Sequence, residues 1–117
     1  LFRSMPNGDT YIGRMEKGVP NGIGEAKLDS GETYRGNFVN GELQGQGEQI
    51  FPDGSSYKGT FKNSRKDGEG VLLSKDGSKF VGKFANDKRN GRGAQYLPDG
   101  SVEREGIWKD DEFAGKN

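Results

Sequence analysis

The chain of 117 residues contains no cysteine and no histidine. Without cysteine it has no disulfide and no thiolate metal site, and without histidine it lacks the commonest general base and metal ligand. Hydrophobic residues make up only 28% of the chain, in runs of no more than a few positions, so no transmembrane helix is expected. These absences leave little support for catalysis, and we predict a protein that is not an enzyme and binds no metal or cofactor.

The ends of the chain lead to two further expectations. The chain does not begin with Met, and Leu1–Met5 is too short for a signal peptide. We therefore expect a portion of a longer protein, or a protein whose targeting segment has been removed. Because the chain shows no signal or transmembrane segment, the expected location is cytoplasmic, with or without association with a membrane.

Glycine, by contrast, is abundant, with 21 residues, or about 18% of the chain where roughly 7% is usual. The glycines recur at a spacing of 23 residues, together with two positions that are aromatic or Met. The first position holds Tyr11, Tyr34, Tyr57 and Phe80, the second holds Met15, Phe38, Phe61 and Phe84, and Gly13, Gly36, Gly59 and Gly82 lie between them. A fixed period of this length indicates a repeat architecture, and such regular placement argues against disorder despite the low hydrophobic content.

Within one period, residues 55–62 alternate between two kinds of side chain. Tyr57, Gly59 and Phe61 fall on one face of an extended segment, and Lys58, Thr60 and Lys62 fall on the other. This period of two predicts a half-buried strand. We expect a second strand at residues 46–51, so that each repeat is a β-hairpin.

Two kinds of connection alternate along the chain. Asp53–Gly54 is expected to form the tight hairpin turn, because Asp–Gly supplies residues that tolerate positive φ. The same signal recurs at Asp76–Gly77 and Asp99–Gly100. The other connections, at residues 40–45, 62–68 and 85–91, are expected to be looser.

The rings of successive repeats are expected to form one ladder on one face of the sheet. The glycine after each opening aromatic shares its face and leaves room for a ring to lie across the backbone. The expected rungs are Tyr34, Phe38, Tyr57, Phe61, Phe80 and Phe84, with Leu28, Phe51 and Leu97 adding to them from the second strands. Burying one such ring contributes about 1.5–3 kcal/mol. At two strands per unit and about 4.8 Å between strands, the sheet should be roughly 45 Å long.

The period slips once, near the end of the chain. Gly82 and Gly106 are separated by 24 residues instead of 23, which places an insertion near Ser101–Glu103. After it Arg104 replaces the opening aromatic and Trp108 supplies the second one. We expect a terminal cap, whose acidic residues discourage pairing with a further strand; these are Asp110, Asp111 and Glu112.

The segment Tyr57–Asn63, followed by Gly68–Glu69–Gly70 and Asp76–Gly77, resembles the MORN (membrane occupation and recognition nexus) repeat. The resemblance covers residues 8–117 and implies an all-β fold, an elongated single-layer antiparallel sheet of tandem 23-residue β-hairpins. The expected divisions are a preceding half-repeat or cap (1–10), full repeats one to four (11–33, 34–56, 57–79, 80–103) and a partial terminal repeat (104–117). The family commonly has His before the Gly-x-Gly pair, where this chain has Asn21, Gln44, Asp67 and Asn90, so no role of that His can be carried over.

Three binding functions fit such an array, and the first is protein–protein interaction. An exposed ladder could accept an apolar segment of a partner, although the same rings could simply be the core. The candidate interaction face consists of Tyr11, Met15, Tyr34, Phe38, Tyr57, Phe61, Phe80, Phe84 and Trp108. An array of this kind could also serve as a regulatory or targeting module of a larger enzyme.

The second function is binding to anionic phospholipid head groups, which the family name implies. Residues 58–92 contain ten Lys and Arg against four acids, and basic residues near a membrane contribute about 1 kcal/mol each. The candidate patch consists of Lys62, Arg65, Lys66, Lys88, Arg89 and Arg92, of which Arg65–Lys66 and Lys88–Arg89 should stack on one edge. The alternative is a solvated edge that keeps a thin sheet soluble.

The third function is self-association, as a homodimer or head to tail. Residues 1–56 carry five basic and eight acidic residues and residues 57–117 carry thirteen and ten, so the halves have net charges of −3 and +3. Halves of opposite charge could pair between two chains, and an open sheet edge invites strand addition. A nucleic-acid partner is not expected, because the net charge is zero.

Overall fold

The computed structural model describes residues 2–4 and 8–116, with side chains from residue 8 onward. This part of the chain forms one antiparallel sheet of eleven strands, in which each strand pairs with its neighbours in sequence. The strands are β1 (Phe2–Ser4), β2 (Thr10–Glu16), β3 (Val19–Lys27), β4 (Thr33–Val39), β5 (Glu42–Ile50), β6 (Ser56–Lys62), β7 (Arg65–Leu73), β8 (Lys79–Ala85), β9 (Lys88–Tyr96), β10 (Val102–Lys109) and β11 (Glu112–Gly115). The predicted all-β sheet of tandem hairpins is confirmed.

The sheet measures 48 × 24 × 19 Å, and its long dimension agrees with the expected length. The short dimension exceeds what a flat layer would have, because adjacent strands rotate by roughly 20–25° relative to one another. The described residues form no helix, and therefore none that is long and apolar enough to cross a membrane.

Two-residue turns connect the strands of each hairpin. They are Lys17–Gly18, Asn40–Gly41, Asn63–Ser64, Asn86–Asp87 and Asp110–Asp111. All ten residues have positive φ, between 49° and 85°. Two successive residues of this kind make a type I′ turn, whose twist matches that of the flanking strands, and Asn, Asp and Gly tolerate it best.

The prediction of where the tight turns lie is therefore wrong. The Asp–Gly segments are the longer connections: Phe51 N donates a hydrogen bond to Ser55 O at 2.9 Å, and Gly54 N donates one to Phe51 O at 3.0 Å. Of the Asp–Gly pair only Gly54 has positive φ, at 96°, as in a three-residue hairpin loop. Pairs such as Asn40–Gly41 and Asn63–Ser64 form the tight turns instead. The second strand of a hairpin starts directly after its tight turn, so β5 begins at Glu42, four residues earlier than expected.

Glycines pair across the hairpin of each full repeat and make room for the side chains that cover them. Gly59 lies opposite Gly70, and the ring of Tyr57 lies so close to Gly70 that a Cβ atom there would overlap it. The same arrangement recurs with Phe80 over Gly93 and Tyr11 over Gly24. The predicted use of glycine, to let a ring lie across the backbone, is confirmed.

The core contains five of the six rungs expected from the repeats, whereas Tyr34 is only partly buried, and it adds Tyr11, Leu43 and Trp108. The buried apolar cluster consists of Tyr11, Phe38, Leu43, Tyr57, Phe61, Phe80, Phe84 and Trp108. Leu28, Phe51 and Leu97 lie outside it, in the longer connections, and Leu97 is 39% exposed. The expectation that they add rungs from the second strands is wrong, because those strands end at Lys27, Ile50 and Tyr96.

The slip in the period near the end of the chain is a β-bulge. The pairing of β9 with β10 shifts register between Val102 and Arg104. Gly106 lies opposite Gly93 after the shift, so the extra residue restores the alignment of the glycines. The predicted insertion near Ser101–Glu103 is confirmed.

Candidate functional site

The two faces of the sheet carry different residues along its whole length. We call the side that carries Tyr11, Tyr57 and Phe80 the front face, and the opposite side the back face. Successive strand residues point to alternate sides, and strand pairing brings residues of one face into rows. Each face can therefore be considered as a separate surface.

Rings on the front face pack edge to face in one line. The centroid of Tyr57 lies 5.1 Å from that of Phe61 and 5.0 Å from that of Phe84 in the next repeat, and Phe80 contacts Phe84 and Trp108 in the same way. The Tyr57 hydroxyl donates a hydrogen bond to Thr60 O at 3.0 Å. Each opening aromatic therefore links its own repeat to the following one.

All nine residues of the predicted interaction face lie together on the front face. Tyr11, Phe38, Tyr57, Phe61, Phe80, Phe84 and Trp108 are buried, and Met15 and Tyr34 are partly buried. The rings contact one another and the glycine backbone. Little ring surface is therefore left for a partner to contact.

Repeat two departs from this arrangement. Leu43 is 0% exposed, and Cβ atoms added to Gly36 and Gly47 would lie 3.0 and 3.1 Å from its methyl groups. Leu43 thus covers the glycine pair that the opening aromatic covers in the other full repeats. Tyr34 is displaced outward, where its hydroxyl accepts a hydrogen bond from Gln49 Nε2 at 3.2 Å.

The position of Leu43 is occupied by Pro20, Lys66 and Arg89 in the other full repeats. The tight turn of the next hairpin stacks on it: Ser64 N donates to Leu43 O at 3.0 Å, and the Ser64 hydroxyl accepts from Leu43 N at 3.0 Å. We call these contacts the stacked-turn pairs. They are Pro20–Gly41, Leu43–Ser64, Lys66–Asp87 and Arg89–Asp111.

The last two stacked-turn pairs are ionic. Asp87 Oδ1 lies 3.5 Å from Lys66 Nζ, and Asp111 Oδ1 lies 3.2 Å from Arg89 Nε. Both cations also lie over rings, Lys66 Nζ at 5.5 Å from the centroid of Phe51 and the Arg89 guanidinium at 4.6 Å from that of Trp108. A carboxylate and an aromatic ring therefore hold each cation on the front face.

A groove is open on the front face beside these two ionic pairs. One section of about 440 Å³ includes Phe51, Leu72 and Ser74 in its walls. A second section of about 510 Å³ includes Glu103 and Phe113. Arg89, Gln95 and Asp111 line both sections, so the groove is continuous from repeat three to the terminal unit.

Burial raises the pKa of three tyrosines of the front face, Tyr11, Tyr34 and Tyr57, and the shift is large for two of them. Burial raises the pKa of Tyr57 to about 12. Burial, followed by the charge of Glu32, raises the pKa of Tyr34 to about 12. Both phenols are therefore neutral at ordinary pH and act in packing and hydrogen bonding.

The carboxylates of the Asp–Gly connections serve the turns. Hydrogen bonds from the Ser55 hydroxyl and the Ser55 N–H lower the pKa of Asp53, and Asp76 and Asp99 repeat this arrangement with Ser78 and Ser101. The described residues contain no group of acids that could hold a metal ion.

Seven Lys and Arg residues occupy the back face of repeats three and four. They are Lys58, Lys62, Arg65, Lys79, Lys83, Lys88 and Arg92, all exposed. None of the seven forms a salt bridge within the described part of the chain. The only acids in β6–β9 are Asp67 and Glu69, so seven minus two leaves a net charge of at least +5 on this surface.

The predicted basic patch is therefore divided between the two faces. Lys62, Arg65, Lys88 and Arg92 lie on the back face, whereas Lys66 and Arg89 lie on the front face in ion pairs. Neighbours such as Arg65 and Lys66 point to opposite sides because they are consecutive in a strand. Lys58, Lys79 and Lys83 belong to the basic stretch 58–92 but were not included in the candidate patch, although extending the alternation of residues 55–62 into the next strands would have placed them there.

Exposed apolar residues also collect on the back face. Of the nine large hydrophobic side chains that are exposed between residues 8 and 116, eight lie there; these are Ile12, Val19, Ile23, Val39, Val71, Leu73, Val81 and Val102. In repeats three and four, Val71 pairs with Val81, and Val81 pairs with Ala94. This strip lies between the seven cations. We call the cations together with Val71, Leu73, Val81 and Val102 the basic back surface.

The back face of repeats one and two has a different charge. Strands β2–β5 carry three cations, Arg14, Lys27 and Arg35, and four acids, Glu16, Glu25, Glu42 and Glu48, for a net charge of −1. Arg35 pairs with Glu25 at 2.6 Å and Glu48 at 3.6 Å. A net positive charge on the back face of strands β2–β9 is thus found in repeats three and four and not in repeats one and two.

Comparison with known families agrees with this architecture. The family model described as MORN repeat matches four consecutive segments, residues 11–33, 34–56, 57–79 and 80–102. No curated protein matches the chain. The matches cover 92 of the 117 residues (11 to 102), and they coincide with hairpins whose paired glycines are covered by a ring or, in repeat two, by Leu43. The chain belongs to the MORN repeat family, a non-catalytic type of repeat known in binding and scaffold roles.

Proposed function

We propose that the chain is a non-catalytic scaffold that binds an acidic protein partner on its basic back surface. The observation that supports the proposal is the group of seven exposed cations without a salt bridge, placed around an exposed apolar strip. Interfaces combine an apolar centre with charged groups that set orientation and association rate. The back surface has both parts, whereas the rings of the front face are occupied by the core.

The charge distribution favours a partner other than a second copy. Facing two basic back surfaces would bring a net charge of at least +5 against another of the same sign. The back face of repeats one and two offers only −1 in compensation. A partner that carries carboxylates beside apolar side chains matches the surface better.

A second candidate is an anionic phospholipid surface. The same cations would contribute about 1 kcal/mol each near such a membrane, and Val71, Leu73 and Val81 could enter the region of the head groups. The twist of the sheet limits how many of the seven cations can reach one plane. This limit is why we place the protein partner first.

Charge reversal on the back face tests both candidates. The variant Arg65→Glu/Lys88→Glu reverses two exposed cations of the basic back surface. The matched control, Arg14→Glu/Lys27→Glu, makes the same change of charge on the back face of repeats one and two. Neither variant touches the buried ladder, so both should keep the thermal midpoint of the parent protein.

For the protein partner, a lysine-reactive cross-linker is applied to each protein in an extract of the source cells, and the linked lysines are identified by mass spectrometry. We expect links to a partner at Lys58, Lys79 and Lys83 that the back-surface variant loses and the control keeps. Partner links that concentrate on Lys17 or Lys27 instead would contradict the proposal.

For the lipid candidate, vesicles of phosphatidylcholine with and without a phosphoinositide are sedimented with each protein. Binding that requires the phosphoinositide and is lost in Arg65→Glu/Lys88→Glu alone would favour the membrane. Equal sedimentation of both variants would exclude this surface as the lipid site.

A further inference from the structure

We propose that the front groove is a second docking site, which binds an extended protein segment carrying a lysine or arginine beside an apolar side chain. This site is distinct from the basic back surface, and it goes beyond the proposed function. It lies on the opposite face of the same repeats and has the opposite charge.

The groove coincides with the change in the stacked-turn pairs. In repeat two, Leu43 covers the glycine pair and Tyr34 is displaced outward over the front face. In repeats three and four, Lys66 and Arg89 are drawn toward Asp87 and Asp111. The ionic pairs thus form walls, and the space beside Phe80 and Phe84 is left open.

The charge of the groove favours a cation in the incoming segment. Its walls include four acids, Asp53, Asp87, Glu103 and Asp111, and three cations, Lys66, Arg89 and Arg104, which gives a net charge of −1. Two of the cations are already paired with aspartates. Glu103 is exposed and forms no salt bridge within the described residues, so its carboxylate is available to a ligand.

The groove also offers the other contacts that an extended chain requires. Phe51, Leu72 and Phe113 supply apolar walls. The amide of Gln95 makes only long hydrogen bonds, of 3.4 and 3.5 Å, so it can exchange them for a peptide main chain. A groove bounded by ionic pairs admits one strand, whereas the broad back face of a second copy does not fit it.

Repeat two, where the front face is filled, provides the template for a variant that closes the groove. The variant Lys66→Leu/Asp87→Ser copies the pair Leu43–Ser64 of repeat two into repeat three, which removes an ionic wall and places an apolar side chain at the groove. A second variant, Glu103→Lys, leaves the shape unchanged and reverses the free acid of the groove. The control is Arg65→Glu/Lys88→Glu, which alters only the back face.

A random peptide library displayed on phage is selected against the parent protein, and recovered peptides are titrated calorimetrically against all four proteins. We expect peptides with a basic residue beside an apolar one, bound about tenfold more weakly by each groove variant and equally well by the control. Thermal denaturation checks that every variant is folded.

Three results would overturn the docking site. They are the absence of enriched peptides, enrichment of acidic peptides, and binding that neither groove variant weakens. Loss of binding in Arg65→Glu/Lys88→Glu alone would assign the peptides to the back face, and so count against the groove and for the proposed function. The two proposals can therefore fail separately.

Discussion

Repeats two and three share their paired glycines and both aromatic positions, yet they cover their glycine pairs with different residues. In repeat two Leu43 lies on the glycines and Tyr34 is displaced outward. In repeat three Tyr57 lies on the glycines, and Lys66 is held at the rim by Asp87. A change at one position of the repeat thus decides whether the front face is filled or open.

The back face changes at the same boundary. Its net charge is −1 over β2–β5 and at least +5 over β6–β9. The positions that keep the period (the glycine pairs and the second aromatic) form the core in both halves. The positions that vary around them differ between the halves, and these are the positions from which binding surfaces can be made.

The largest expected effect is on the free energy of unfolding when a ring is removed from the buried ladder, to which both repeats contribute. Phe61 is buried and contacts both Tyr34 of repeat two and Tyr57 of repeat three. Phe61→Ala should lower the free energy of unfolding by about 3–5 kcal/mol, because it leaves a cavity between the repeats. Urea denaturation measures this loss. Ile23→Ala, at a residue that is 72% exposed, is the control and should change stability by less than about 0.5 kcal/mol. Equal effects of the two changes would show that the ladder is not the core.

The next effect is a difference in stability loss when equivalent positions of the two repeats, Leu43 and Lys66, are replaced by alanine. Leu43→Ala should cost about 2–5 kcal/mol because Leu43 is fully buried over its glycines. Lys66→Ala, at the equivalent position, should cost about 1 kcal/mol or less, because the Tyr57 ring already covers the glycine pair of repeat three. Urea denaturation of both variants tests the assignment. A similar loss from both would mean that the two repeats are covered in the same way.

Much of this architecture could be predicted from the sequence, because the period fixes it. The glycine pairs recur every 23 residues, and in repeats one, three and four the opening aromatic lies over them. The exchange of Leu43 for Tyr34 could not be predicted, since both residues are apolar and only packing decides which one covers Gly36 and Gly47. The tight turns were misplaced for a related reason: Asp–Gly suits both a type I′ turn and a three-residue loop, and strand pairing selects between them.

The binding surfaces were predicted only in part. Consecutive cations such as Lys88 and Arg89 were grouped by their distance along the chain, whereas a strand places them on opposite faces. The role of Asp87 and Asp111 depends on contacts one repeat away, at 2.8 Å from the N–H groups of Lys66 and Arg89. Such contacts appear only once the hairpins are stacked.

A smaller effect distinguishes the tyrosines of the two repeats at high pH. The pKa values of Tyr34 and Tyr57 are raised from 10.0 to about 12 in the folded protein. A raised folded pKa stabilises the protein fully below the unfolded value, so this stability is present below pH 10 and lost as the pH rises toward 12. The ultraviolet absorbance of tyrosinate, followed together with the urea midpoint, reports both changes.

Glu32 supplies the control for this titration. Its charge helps to raise the pKa of Tyr34 and is not among the causes at Tyr57. In Glu32→Gln the tyrosinate transition of Tyr34 should move to lower pH while that of Tyr57 stays in place. Substituting each tyrosine by Phe assigns the two transitions. A shift of both would mean that the tyrosines share one environment.

The smallest effect concerns the ionic stacked-turn pair of repeat three. Lys66 and Asp87 lie 3.5 Å apart, and the Asp87 side chain is about half exposed, so water screens their attraction. A double-mutant cycle of Lys66→Ala and Asp87→Ala should give a coupling of about 0.2–1 kcal/mol that falls with added salt. The equivalent cycle in repeat two, Leu43→Ala with Ser64→Ala, should give a coupling that salt does not change, because that pair is uncharged. If the Lys66–Asp87 coupling were as insensitive to salt as the Leu43–Ser64 coupling, the Asp87 carboxylate would act only as a hydrogen-bond acceptor for the Lys66 N–H. In that case the attraction between the two charges would contribute nothing to the wall of the groove.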